Sequence, residues 1–295
     1  MRSGFIVILL LVHAASAAQD RPLPELEPFL NEVRDRLQTD RTLQSSYSYV
    51  ETRRELKLDK HGRTTGMSEK VFESYPGFPG EPRWERWERL IAEDGTPVPA
   101  KKLEEQDRRR QRKAESYARR LEEQPEQEHA RQRRQYEEAQ RQANEMVADI
   151  FRVYEVRMLR REAVEGHNTI VFSLTPRPGA KPRTREGRDM RHFAVTAWVS
   201  ESDFELVRLD VVGIHTVKMG LGVGLFARLH EGAKLTFVRR KINGEVWLPA
   251  TSRYEGSARL GLIKTVRQRG ESEFSNYRKF TVDTQSSFGR PPVKP

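Results

Sequence analysis

No cysteine occurs anywhere in the 295 residues. That absence excludes disulfides, thiolate metal sites and thiol nucleophiles together, and leaves no residue to carry the acyl chain of a bacterial lipoprotein. Long apolar runs are missing too. None approaches the roughly 20 residues a membrane-spanning helix needs, so no transmembrane span is expected. Apolar side chains make up 36% of the chain and aromatic ones 8%, so the core must be built economically and from burial alone. His61, His129, His167, His192, His215 and His230 contain no pair at the His-Glu-x-x-His spacing that sets two imidazoles on one helix face, and no metal is expected. Gly220, Gly222 and Gly224 do not match Gly-x-Gly-x-x-Gly and precede no amphipathic helix, so they read as a bend between strands. No serine sits in a Gly-x-Ser-x-Gly elbow. The sequence therefore predicts neither a cofactor nor an enzymatic activity.

What is present begins with Arg2, the short apolar run from Phe5 to Val12, and the small residues Ala15-Ser16-Ala17. This is the pattern of a cleaved signal peptide over residues 1–17, which places the protein in the periplasm or otherwise outside the cytoplasm. The remainder carries 52 basic and 43 acidic side chains, a formal charge of +9. In that compartment the acidic partners at hand are lipid head groups, lipopolysaccharide phosphates and peptidoglycan carboxylates, and nucleic acid is not an expected partner. Both signs are interleaved, which suits a merely well-solvated surface equally well.

Leu26, Phe29, Leu30, Val33 and Leu37 recur at helical spacing and predict an N-terminal amphipathic helix of about three turns. Tyr47 to Leu58 and Met67 to Tyr75, around the His61-Gly62 turn, predict a hairpin with one face in water. Residues 84–91, with Trp84 and Trp87, read as a strand followed by an Asp94-Gly95 turn. Between Lys101 and Glu145 stand 13 basic and 11 acidic residues with few large apolar groups. Pairs such as Glu104 with Arg108 and Glu115 with Arg119 support a solvated helix there, divided at Pro125, and the missing apolar heptad argues against a coiled coil. The insertion is set at about 99–150.

From Tyr154 the pattern alternates with period two. Strands are expected at Tyr154 to Met158, Ile170 to Leu174, Phe193 to Val199, Val207 to Val211, Leu235 to Val238, Val246 to Leu248, Ala258 to Val266 and Glu273 to Val282, with a loop from Pro176 to Arg191. Asn243-Gly244 is the strongest hairpin signal in the chain. Short connections make these strands antiparallel neighbours, so the predicted fold is α+β: one large curved antiparallel sheet with an N-terminal helix and the long charged helical insertion. A single domain is expected over residues 18–282, with a flexible tail at 283–295.

The order of Phe172-Ser173-Leu174-Thr175-Pro176, Ala197-Trp198-Val199, Leu206-Val207-Arg208-Leu209, Val246-Trp247-Leu248-Pro249 and Phe274-Ser275-Asn276-Tyr277-Arg278-Lys279-Phe280 resembles the outer-membrane lipoprotein-sorting (LolA-like) superfamily. It is most like a group of uncharacterised exported bacterial proteins with a charged helical insertion at the same place. The resemblance implies an incurved, unclosed half-barrel whose concave face is plugged by helices, used by relatives to carry acyl chains or sense lipoproteins.

Two functions are open. In one, a lipid or lipoprotein moiety lies on the concave face, lined by Phe172, Leu174, Val195, Val207, Leu209, Phe237 and Leu262. In the other, the insertion binds an envelope protein or an anionic surface through Arg108, Arg109, Arg110, Arg131, Arg133 and Arg134.

Overall fold

A computed structural model describes residues 21–44, 46–77, 86–122, 126–220, 226–260 and 264–279. The signal segment 1–17, Trp84, Pro125, Leu262 and the tail 283–295 lie outside the described residues.

The N-terminal helix α1 is Leu26–Gln44, 19 residues or about five turns, longer than its apolar spacing predicted because that spacing marks the buried face rather than the length. Strands β1 (Tyr47–Leu58) and β2 (Thr64–Pro76) form the expected hairpin. Its turn is held by Asp59, whose Oδ1 accepts from His61 N at 2.8 Å and Arg63 N at 2.9 Å. Strand β3 (Arg86–Glu93) turns through Asp94-Gly95 into the two-residue β4 (Thr96–Pro97).

The insertion follows as α2 (Ala100–Glu122) and α3 (Glu126–Val153). The second helix runs past the expected boundary and feeds without a loop into β5 (Tyr154–Val164). Next come β6 (His167–Pro176), β7 (Phe193–Ser200) and β8 (Leu206–Gly213). The stretch read as a plain loop contains a short helix α4 (Arg185–Met190), started by Thr184, whose side chain accepts from Gly187 N. Strands β9 (Val217–Gly220) and β10 (Phe226–Leu229) pair antiparallel, and β11 (Lys234–Ile242) follows; Gly222 and Gly224 of the expected bend lie outside the described residues.

The last two strands are β12 (Val246–Leu260) and β13 (Lys264–Lys279), 15 and 16 residues long. Here the sequence reading divided the chain wrongly: Ala258 to Leu260 end β12 and Lys264 to Val266 begin β13, its antiparallel partner, so Ala258 to Val266 is not one strand. The Asn243-Gly244 turn has φ of +52° and +71°, the paired positive values of a type I′ hairpin.

All strands join one antiparallel sheet in the order β4-β3-β2-β1-β13-β12-β11-β8-β7-β6-β5, with β10 on β12 and β9 on β10. The two ends of this path, β4 and β5, do not pair with each other, so the sheet is open. A sheet of this width twists and curls. Helix α1 lies on one face, where Phe29, Leu30 and Val33 are buried against Ile170, Phe172, Ala197 and Val199. The Phe29 ring meets Phe172 at 5.6 Å and Phe204 at 5.0 Å between centroids. A smaller cluster of Tyr47, Val246 and Leu248 closes the start of β1 against the start of β12.

Candidate functional site

Residues in register across strands share a face, and two rows cross the α1 side of the sheet. One runs Met158, Phe172, Ala197, Leu209, Phe237, Ser252, Ser272, Arg53. The other runs Val156, Leu174, Val195, Val211, Leu235, Tyr254, Gly270. Their β5–β8 ends lie under α1: Phe172 belongs to the helix-packed cluster, with Val156, Met158, Leu174 and Leu209 packed against it.

Farther along the rows, Val195, Val211, Phe237 and Tyr254 are half-buried and Leu235 is 37% exposed. The Tyr254 ring lies across Gly270, where a Cβ would come within 2.1 Å of Tyr254 Cε1, and its hydroxyl accepts from Gln268 Nε2 at 2.9 Å. This ring ends the apolar strip. Beyond it the face turns ionic: buried Glu51 accepts from Arg53 Nε at 3.0 Å, Arg53 Nη2 at 2.8 Å and Ser272 Oγ at 2.7 Å, and the Arg53 guanidinium lies 4.7 Å from the centre of the Phe72 ring.

The proposed lining residues therefore divide. Phe172, Leu174 and Leu209 are taken up by the protein's own helix, while Val195 and Phe237 are half-buried outside that cluster. Val207 is fully buried at a bulge, without a partner on β7, and Leu262 lies outside the described residues. Sequence reasoning missed Val211, Leu235 and Tyr254. Their alternation with Val195 and Phe237 was legible, but which strands α1 would leave bare was not.

The insertion is fastened at both ends. At β3, the Gln106 side-chain amide accepts from Leu90 N and donates to Leu90 O, both at 3.0 Å, as a neighbouring strand would. Arg89 bridges Asp107 at 2.8 Å and Glu73 at 2.9 Å. Arg110 is half-buried, with its guanidinium 4.4 Å from the centre of the Trp87 ring and 4.9 Å from that of Tyr75. Burial, with Glu73 beside it, pushes the Tyr75 hydroxyl up to about 12. Arg108 pairs with Glu104 at 3.5 Å. Arg109 borders an open crevice of about 510 Å³ between α2 and the β3–β4 turn, lined also by Lys102, Glu93, Asp94 and Glu105. Arg131, Arg133 and Arg134 are exposed on α3.

At the other end Asp149 is fully buried. Its carboxylate accepts from Arg183 N at 3.0 Å, Thr184 N at 2.7 Å and Thr184 Oγ1 at 2.7 Å, and from Arg152 Nη1. Burial pushes this carboxyl up, but the bonds from Thr184, Arg183 and Arg152 outweigh it and hold it below the ordinary value. Gly187 permits the approach, since a Cβ there would sit 2.3 Å from Asp149 Oδ2.

Among the described residues, every carboxyl with a displaced pKa is displaced downward: Asp59, Asp149, Glu201, Asp203 and Glu245. These groups are anion acceptors for arginine, lysine, hydroxyl and amide donors, not proton donors poised near neutrality. No group of three or more metal-ligating side chains is present among the described residues. No helix among them is long and apolar enough to cross a membrane.

No family model matches the chain, and no curated protein matches it either. Solved structures do. An outer membrane lipoprotein-sorting protein domain from Vibrio parahaemolyticus matches at 9% identity and a TM-score of 0.33, covering 88% of this chain and 98% of that one. A LolA superfamily protein from Nitrosomonas europaea matches at 11% identity and TM-score 0.30, over 86% and 95%. A DUF1329 family protein from Desulfovibrio piger matches at 12% identity and TM-score 0.31, over 90% and 98%. At these identities and TM-scores no residue, ligand or partner carries across.

Proposed function

We propose that this protein is a non-enzymatic binding or carrier module of the cell envelope that holds the apolar part of a lipid or lipoprotein on the strip left bare by α1. The observation that supports this is the strip itself: Val195, Val211, Leu235, Phe237 and Tyr254 share one face, continue the core under α1, and are only half-covered. Burying such side chains under an acyl chain gains roughly 25 cal/mol per Å². The Glu51–Arg53–Ser272 network beyond Tyr254 gives the strip a polar end.

Native mass spectrometry with lipid extraction, on protein purified gently from a bacterial envelope, tests the proposal. A stoichiometric acyl-containing adduct that disappears in Leu235→Glu is the expected result. A clean apo mass, with no transfer of acylated probes, overturns it.

A second function rests on a different observation. Fastenings of the insertion lie in the first three turns of α2 and the last turns of α3, and between them Arg131, Arg133 and Arg134 are exposed on a charged helix. This span would engage an envelope partner or an anionic surface. Replacing residues 113–140 by a short linker should then abolish partner recovery with the sheet intact, and unchanged recovery would exclude it.

A further inference from the structure

The two ends of the sheet path, β4 and β5, are treated differently by the chain. At one end β4 is only two residues long and finishes on Pro97, and the Gln106 side chain bonds the backbone of Leu90 on β3 beside it. A short strand, a proline and a covering group all keep an edge from pairing with another chain. At the other end β5 runs for 11 residues without proline and, among the described residues, pairs with β6 alone. That edge is open.

The register of β5 fixes which of its backbone groups face outward. The Glu165-Gly166 turn has φ of +50° and +79°, so it is a two-residue hairpin whose flanking pair, Val164↔His167, exchanges hydrogen bonds, and bonded pairs alternate from there. On the far side of β6, Asn168 O accepts from Glu201 N at 3.0 Å, as this alternation requires. Asn168, Ile170, Phe172 and Leu174 thus bond away from β5, and the residues opposite the last three and Asn168 turn their own N–H and C=O to the open edge. These are Ala163, Arg161, Met158 and Val156.

On the face away from α1, β5 carries Glu155, Arg157, Arg160 and Glu162, an order of signs symmetric about the bulge at Leu159. Arg157 pairs with Glu155 at 2.6 Å and Arg160 with Glu162 at 2.5 Å, and Leu159 between them is 47% exposed. Such exposed pairs hold their partners weakly. Arg161 differs, since its guanidinium turns inward to Glu201 at 2.7 Å.

This pattern is self-complementary in one antiparallel register. When Val156 lies opposite Ala163 of a second copy and Met158 opposite Arg161, all four outward-facing residues of each copy find partners, and Arg157 opposes Glu162 twice by symmetry. The adjacent register also matches outward groups, but it sets Arg157 against Arg160 and Glu155 against Glu162. Like charges directly opposite exclude it.

We propose that β5 is a dimerisation edge, at which two copies of this chain pair antiparallel from Val156 to Ala163 into one continuous sheet, with Arg157 against Glu162. Residues paired across strands share a face, so both α1 faces lie on the same side of the joined sheet. The pairing holds whether or not the strip near Tyr254 binds a ligand.

Sedimentation velocity on the full chain without residues 1–17, from about 1 to about 200 µM, tests this and should show a monomer–dimer equilibrium, since a contact of this size falls in the weak class. Arg157→Glu and Glu162→Arg, each alone, should raise the dissociation constant at least about tenfold. Mixed in equal amounts, the two variants should recombine as a heterodimer within about threefold of the wild-type affinity, because opposite charges again face each other in the same register. Neither variant changes its own fold on mixing, so recombination separates the contact from any loss of structure. Ala163→Pro, which removes an outward N–H and no bond to β6, should weaken the dimer by at least about tenfold with an unchanged far-ultraviolet circular dichroism spectrum. A monomer throughout the concentration range, a dimer indifferent to both charge reversals, or variants that do not recombine would each overturn the proposal.

Discussion

Phe172 and Arg53 stand in one cross-strand row, on one face of one sheet, and live in opposite environments. Under α1 the row is apolar and closed, with Phe172 only 2% exposed. Six strands away it is ionic: Arg53 bonds Glu51 and Glu88, and its guanidinium is held firmly protonated, chiefly by its hydrogen bonds to Glu51. Between the two lies the half-covered strip. A sheet of this width cannot bury a whole face under one 19-residue helix, so the face is divided into a part filled from within, a part satisfied by charge pairing, and a part left for something else.

The comparison breaks most sharply at the filled end. Phe172→Ala removes the ring against which Phe29 packs at 5.6 Å, and should cost about 4 kcal/mol. Chemical denaturation measures this, and the loss should come without an acid-sensitive component, because the cluster around Phe172 is built of apolar side chains. Leu235→Ala, on the bare strip, should cost far less, and equal losses at the two positions would mean that the strip is ordinary core.

Asp149 gives the next effect and behaves differently with pH. Its carboxyl is depressed in the folded state, so the stability it contributes is present above its ordinary value of 3.8 and is lost as pH falls through the folded value below it. Asp149→Asn should cost about 3 kcal/mol at neutral pH, because Arg152 and the Thr184 donors lose their anion. It should also flatten the fall in melting temperature below about pH 4, where the unfolded chain takes up the proton that the folded carboxylate resists. A parallel fall in both proteins would remove Asp149 from the acid transition. Glu51→Gln, which weakens the partner of Arg53 on the ionic side, should cost about 2 kcal/mol by the same measurement.

Sequence carried the strands well because alternation and turn chemistry are local. Ile170, Phe172 and Leu174 alternate where β6 runs, and Asn243-Gly244 makes the turn it advertises. The spacing of Phe29, Leu30 and Val33 gave the buried face of α1 but not the strands it would cover, since that depends on packing between residues more than 130 positions apart. Asp149 with Thr184, and Arg110 with Trp87, were illegible for the same reason: a buried carboxylate or an enclosed guanidinium looks, in one dimension, like any other charge in a charged helix.

The smallest effect separates the fastened part of the insertion from its free part. Gln106 satisfies the exposed edge of β3 at Leu90 with two hydrogen bonds, and Gln106→Ala should cost about 1 kcal/mol, since the uncovered N–H and C=O regain water at that edge. Arg134, exposed on α3 with its Nε donating to Ala130 O of its own helix, should tolerate alanine within about 0.5 kcal/mol. Hydrogen exchange sharpens the contrast further, because the Leu90 amide should lose protection in Gln106→Ala while the amides of α3 do not. If Gln106→Ala instead exposes both helices together, the insertion is held from the β3 end, and the Asp149 end only follows.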